Sequence, residues 1–180
     1  MNKIFIDLGV WSGVSTKLFF DGKLDNIDPT GFVAHGFDPL KIYLKEMKEL
    51  EGKYPFTFIN KAVWTYDGEV EFGEFKNDES STIKKEKLNY DSAKVVKVPC
   101  VDFSAWLGQF QKEDEVFVKM NIEGAEVDIL EYLIKTGNIK LIDKLIIENH
   151  YNKIGGDYTE RMQKLEKVLP IDWKFWRRSE

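Results

Sequence analysis

Asn121-Ile122-Glu123-Gly124-Ala125-Glu126 follows directly on the apolar run Val116-Phe117-Val118-Lys119-Met120. Such a run reads as a buried strand. An amide and two carboxylates on the turn behind it can orient a polar ligand, hold a cation or take a proton. Glu123, the nearer of the two to a strand-end crevice, is the candidate for ligand contact. Glu126 falls at a helix N-terminus, where the macrodipole favours negative charge, and reads as structural. A second set, Glu148-Asn149-His150, closes the run Lys144-Leu145-Ile146-Ile147. Glu148 and His150 are two apart and share a strand face. His150 is one of two histidines and is the candidate general base toward an acceptor hydroxyl. Glu123, Glu148 and His150 together also offer oxygen and imidazole ligands to a divalent ion. His35 lies within an apolar run and reads as core.

The N-terminal stretch supplies a third set. Ile4 to Asp7 is an apolar run closed by a carboxylate, and Gly9 and Gly13 bracket a tight loop before a helical pattern resumes at Val14. The spacing is neither the G-x-G-x-x-G of a dinucleotide loop nor a phosphate-binding P-loop. The loop contains no lysine and begins with Asp7, an arrangement suited to a cationic ligand. S-adenosylmethionine is such a ligand, with a sulfonium and an α-amino group that a carboxylate attracts. Phe32 to Phe37 then ends in Asp38-Pro39. An acidic residue in that place accepts hydrogen bonds from a ribose diol; alternatively, Asp38 caps a helix starting at Pro39.

These groups need elements that bring them together. Strands are predicted at Ile4–Asp7, Phe32–Phe37, Phe56–Asn60, Val95–Val98, Val116–Met120, Lys144–His150 and Trp173–Trp176. Helices are predicted from Val14 to about Asp21, Leu40–Leu50, Val101–Phe110 with an Asp102 cap, the stretch after Glu126 through Ile134, and Tyr158–Leu169. Strands alternating with helices specify an α/β, doubly wound, mostly parallel sheet in one domain spanning 1–180. Asp7, Asp38, Asn60, Asn121 and Glu148 to His150 then lie along one sheet edge, where such folds bind ligands. Tyr66-Asp67-Gly68 between Lys61–Trp64 and Val70–Phe75 predicts an inserted β-hairpin, and the polar segment 77–87 a mobile loop.

Composition narrows the classes of function. The 180 residues are 43% hydrophobic and 14% aromatic, enough for a sizeable core. Lys and Arg total 26 against 31 Asp and Glu, for a net charge of -5 without a basic bank, so no nucleic-acid partner is expected. One cysteine, Cys100, excludes an intrachain disulfide and a thiolate zinc site. No apolar run approaches the roughly 18 residues of a membrane span, and no leader pattern is evident. A soluble, cytoplasmic protein is expected, with homo-oligomerisation left open.

The ordered segments IDLGVWSG, HGFDP, NKAVWTYDGEVEF, ESSTI, VPCVDFSAWL, VKMNIEGAEVDIL and LIIENH resemble the FkbM-type methyltransferases, a branch of the Rossmann-like, class I S-adenosylmethionine-dependent enzymes. The resemblance runs from Ile4 to about His150, and Val118 to Glu126 is its most specific part. It implies O-methylation of a sugar, glycan or other small-molecule hydroxyl with S-adenosylmethionine as cofactor. It places Asp7, Gly9 and Gly13 in the cofactor loop and Asp38 at the ribose. Asn60, Ala62 and Val63 match the segment near the adenine, and Asn121 and Glu123 the turn facing the methionine moiety and acceptor. Asn121 also enters the candidate catalytic set with Glu123 and His150. Three departures stand out. Asn121 replaces the usual Asp, Val10-Trp11-Ser12 replaces a smaller loop sequence, and the fold is expected shortened at both ends, leaving a lid to a partner subunit or the crevice open to a large acceptor. Two rival readings are a non-catalytic interaction subunit on the same fold and a nucleotide-dependent oxidoreductase, the latter disfavoured by the absent G-x-G-x-x-G.

Overall fold

The computed structural model describes residues 1–76 and 80–176. Six strands, β1 (Lys3–Leu8), β2 (Phe32–Phe37), β3 (Phe56–Ile59), β7 (Glu115–Met120), β8 (Lys144–Glu148) and β9 (Asp172–Trp176), form one sheet in the order β3-β2-β1-β7-β8-β9. Every neighbouring pair is parallel. This is the doubly wound, Rossmann-like α/β architecture expected.

Residue alternation divides the core between the two sheet faces. Ile4, Ile6 and Leu8 join Val116, Val118 and Met120 in one buried cluster. Over it pack α3 (Phe103–Leu107), α4 (Glu126–Thr136) and α5 (Tyr158–Val168), through residues such as Phe103, Leu130 and Leu165. Phe5, Ala34, Phe117 and Ile146 face the other way, under α1 (Val14–Phe20) and α2 (Leu44–Lys53). There Phe5 stacks on Phe19 with ring centroids 4.1 Å apart. Strands covered on both sides are continuous apolar runs, and this is why β1 and β7 were readable without alternation.

A second sheet sits beside the first, built from β4 (Ala62–Trp64), β5 (Gly68–Glu74) and β6 (Lys94–Asp102) in the order β4-β6-β5. The Asp67-Gly68 turn joins β4 to β5, but the two do not pair as the predicted hairpin. Ala62 and Gly68 both have Cys100 as their partner, on opposite edges of β6. Three-residue β4 is too short for a stable two-stranded ladder. Nine-residue β6 is long enough to satisfy both neighbours, and it buries Val98 and Cys100 against Phe72 and Leu40.

Two helix boundaries also differ from the periodicity. α2 begins at Leu44, because Leu40 N–H bonds Asp38 Oδ1 at 2.9 Å in a tight turn that precedes the helix. α3 is confined to five residues, with Asp102 accepting from Ala105 N at 2.9 Å as the expected cap. Of the expected mobile loop, Asn77, Asp78 and Glu79 lie outside the described residues. The part from Ser80 onward is tied down. Thr82 exchanges backbone hydrogen bonds with Gly73, Thr82 Oγ1 donates to Glu123 O at 2.7 Å, and Leu88 N donates to Lys153 O at 3.1 Å. Among the described residues no helix is long and apolar enough to cross a membrane.

Candidate active site

The strand order sets Leu8, Phe37, Ile59, Met120 and Ile147 side by side at one end of the sheet, with Glu148 one residue beyond. Beyond that edge lies a cleft whose sheet-side wall is Gly9, Trp11, Asp38, Asn121, Glu123 and Glu148. Its opposite wall comes from the second sheet and the tied segment, through Ala62, Val63, Phe72, Ser80, Ser81 and Ile83, with Lys61 and Lys153 at the sides.

Asp38 projects from the end of β2 into this cleft. Its Oδ2 accepts from Trp11 N and its Oδ1 from Leu40 N, both at 2.9 Å. Burial pushes its carboxyl up to about 6 despite these bonds. Asn60 does not line the cleft; its amide donates to Asp38 O at 2.9 Å and Leu40 O at 3.3 Å and shapes the loop that carries Asp38. Gly9 does line it. At φ 77° its position is left-handed, and a Cβ there would meet Asn121 O at 1.8 Å. The loop and the β7 turn touch at this point, so only glycine fits. Gly13 lies behind the cleft as the left-handed cap of α1, against Leu50.

Asp7 is placed differently from the expectation of a carboxylate facing the ligand. It is fully buried under the loop, accepts from Ser15 Oγ at 2.6 Å and Thr16 Oγ1 at 2.8 Å, and pairs with Lys119 Nζ at 2.9 Å. Lys119 also donates to Gly9 O at 2.9 Å. The carboxylate is thus neutralised by the opposing strand and holds the loop in place.

Asn121 leaves β7 into a turn in which Glu123 and Gly124 both have positive φ, 53° and 107°. Glu126 reaches back to accept from Ile122 N and Gly124 N, each at 2.8 Å, closing the turn as the expected structural carboxylate. His150 is fully buried behind Glu123 and outside the cleft. Its Nε2 lies 3.2 Å from Glu123 Oε1 and its Nδ1 3.2 Å from Glu126 Oε1. Burial pulls the imidazole down, but the two carboxylates outweigh it and hold it up at about 10. Enclosed between these carboxylates, the ring is held toward its charged form and is shut off from the cleft. The residue expected as general base thus lies outside the cleft, between Glu123 and Glu126.

Glu123 lines the cleft with both oxygens engaged. Oε2 accepts from Lys87 Nζ at 2.5 Å, and Oε1 faces His150 at 3.2 Å and Lys153 at 3.8 Å. Burial pushes its carboxyl up, yet His150 and Lys87 more than offset this and hold it at about 2. With two cations on Glu123, the alternative of a metal on Glu123, Glu148 and His150 does not fit the geometry. Among the described residues no group of three such side chains is arranged to hold an ion.

Residues missed from the sequence complete the site. Lys119 sits opposite Asp7 in the β1–β7 register, and a lysine inside the apolar run Val118-Lys119-Met120 was itself a signal that a buried partner was needed. Lys87 carried no such signal within a polar segment. Glu148, read from the sequence as a strand-end carboxylate and a possible metal ligand, accepts from Asn121 Nδ2 at 2.6 Å. The family model described as the Methyltransferase FkbM domain matches residues 27–169. No curated protein and no solved structure matches the chain.

Proposed function

The chain belongs to the FkbM methyltransferase family, and from that membership we propose that it transfers a methyl group from S-adenosylmethionine to a hydroxyl oxygen of a sugar, glycan or similar small molecule. The observation that carries the cofactor assignment is a pair of acceptors facing one cleft. Asp38 ends β2 there, and the Oδ1 of Asn121 at the end of β7 is buried without a hydrogen-bond partner among the described residues. A buried orphan acceptor is costly unless a donor arrives, and the α-amino group of the cofactor is such a donor. Each oxygen of Asp38 spends one lone pair on a backbone N–H and keeps capacity for a hydroxyl of the ribose diol.

The remaining residues fit the same group. Ala62 and Val63, each 4% exposed, offer an apolar flank for an adenine. Glu148 adds negative charge to a cleft that would receive a sulfonium, and attraction across a partly buried site is stronger than in water. When bound, the cofactor supplies an electrophilic methyl carbon; the chain supplies orientation, by holding the acceptor oxygen in line and close.

Calorimetric titration with S-adenosylhomocysteine tests this reading, with NAD and Asp38→Ala as controls. Saturable binding is expected in the wild type, and loss of charge-assisted hydrogen bonds worth about 1.5–3 kcal/mol predicts roughly ten- to hundredfold weaker binding in Asp38→Ala. NAD should not bind. Absence of wild-type binding at millimolar ligand would overturn the proposal in favour of a non-catalytic module on this fold.

A further inference from the structure

His150 does not reach the cleft, and among the described residues the cleft wall offers few groups that could take a proton from an acceptor hydroxyl. Among the described residues its titratable side chains are Asp38, Lys61, Glu123, Glu148 and Lys153. The lysine ammonium groups are donors only. Asp38 is tied to Trp11 N and Leu40 N beside the cofactor loop. Glu123 has both oxygens occupied by Lys87 and His150.

Glu148 stands apart. Its Oε2 is fixed by the Asn121 amide at 2.6 Å, while Oε1 lies 4.0 Å from both His150 Nε2 and Lys153 Nζ, beyond hydrogen-bond reach of either. Its side chain is 24% exposed at the cleft, so Oε1 is open to a ligand. We propose that Glu148 is the catalytic proton acceptor of this protein, held in orientation by Asn121, with the acceptor hydroxyl bound between Glu148 and the Ser80–Ser81 wall. The inference rests on the methyltransferase reading given above.

The step balances. The acceptor oxygen bonds to the methyl carbon, the carbon–sulfur bond breaks with its electron pair left on sulfur, and the hydroxyl proton passes to Glu148 Oε1 and then to solvent. The arrangement also accounts for Asn121. A carboxylate at position 121 would face Glu148 Oε2 as a like charge at hydrogen-bond distance and turn it away. An amide donates to it instead and leaves its own carbonyl toward the cofactor.

The test compares wild type, Glu148→Gln and Glu148→Asp. S-adenosylhomocysteine affinity is measured by calorimetry, and S-adenosylhomocysteine formation is followed with a panel of methyl glycosides and simple alcohols. Glu148→Gln should bind S-adenosylhomocysteine within about twofold of wild type and lose on the order of a hundredfold or more in turnover, the size of a general-base contribution. Glu148→Asp should restore part of the turnover. About tenfold weaker binding in Glu148→Gln would place the carboxylate on the cofactor's amino group and overturn the proposal, as would unchanged turnover. Failure of the wild type to bind S-adenosylhomocysteine, or to methylate any of the panel once it is bound, would remove the methyltransferase reading itself and this inference with it.

Discussion

His150 shows how burial reverses the meaning of a residue type. An exposed imidazole is a base near neutrality, but one enclosed by Glu123 and Glu126 is held toward its charged form. With a folded pKa raised to about 10 above an unfolded value of about 6.5, the stability it contributes is fully present below about pH 6.5 and lost as pH rises through about 10. Glu123, held at about 2, contributes on the opposite side: its share is present above about pH 4.5 and lost as pH falls through about 2. Urea unfolding of wild type and His150→Gln should therefore differ by about 3–5 kcal/mol near pH 6, the usual effect of stripping one partner from a buried ion cluster. The difference should narrow toward pH 10. A gap that ignores pH would assign the loss to packing alone.

At the scale of elements, the site depends on segments being fastened across one another. The segment from Ser80 to Leu88 reaches over the β7 turn and is held by Thr82 to Glu123 O, by Lys87 to Ser80 O and Glu123 Oε2, and by backbone bonds between Glu86 and Gly155 and between Leu88 and Lys153. Lys87 is 5% exposed, and its ammonium is the one cation joining this segment to Glu123 among the contacts just named. Charge-assisted hydrogen bonds contribute about 1.5–3 kcal/mol. Lys87→Met is expected to accelerate amide exchange at Thr82, Leu88 and Gly155 by about tenfold or more, with β1 and β7 amides unchanged. Equal acceleration throughout, read by hydrogen-exchange mass spectrometry, would show that Lys87 stabilises the whole fold and not the segment.

Over the whole molecule, the two face cores share the central strands β1 and β7, and Trp64 packs against both the larger core and the small cluster of the second sheet. These shared residues couple the second sheet to the first. A single cooperative transition is expected. The five tryptophans, Trp11, Trp64, Trp106, Trp173 and Trp176, are spread over the loop after β1, β4, α3 and β9. Urea curves from tryptophan fluorescence and far-UV circular dichroism should superimpose. Separated midpoints would mean that the second sheet unfolds on its own.

What the sequence by itself determined is the frame: the parallel strands, their order of appearance, and the row of polar residues at their carboxyl ends. Those features follow from local rules, since a strand covered on both faces must be apolar and its end must meet a loop. Asp38, Gly9 and Asn121 were legible for that reason. What only the tertiary structure decided is which charges face one another. Asp7 meets Lys119 from a distant part of the sequence, Lys87 reaches Glu123 from a polar segment, and β6 enters between β4 and β5. Each is a long-range pairing, and a buried charge takes its chemistry from its partner and its access to water, neither of which residue type or spacing encodes. The same reason moves the proton-accepting role from His150, which is enclosed, to Glu148, which is open to the cleft.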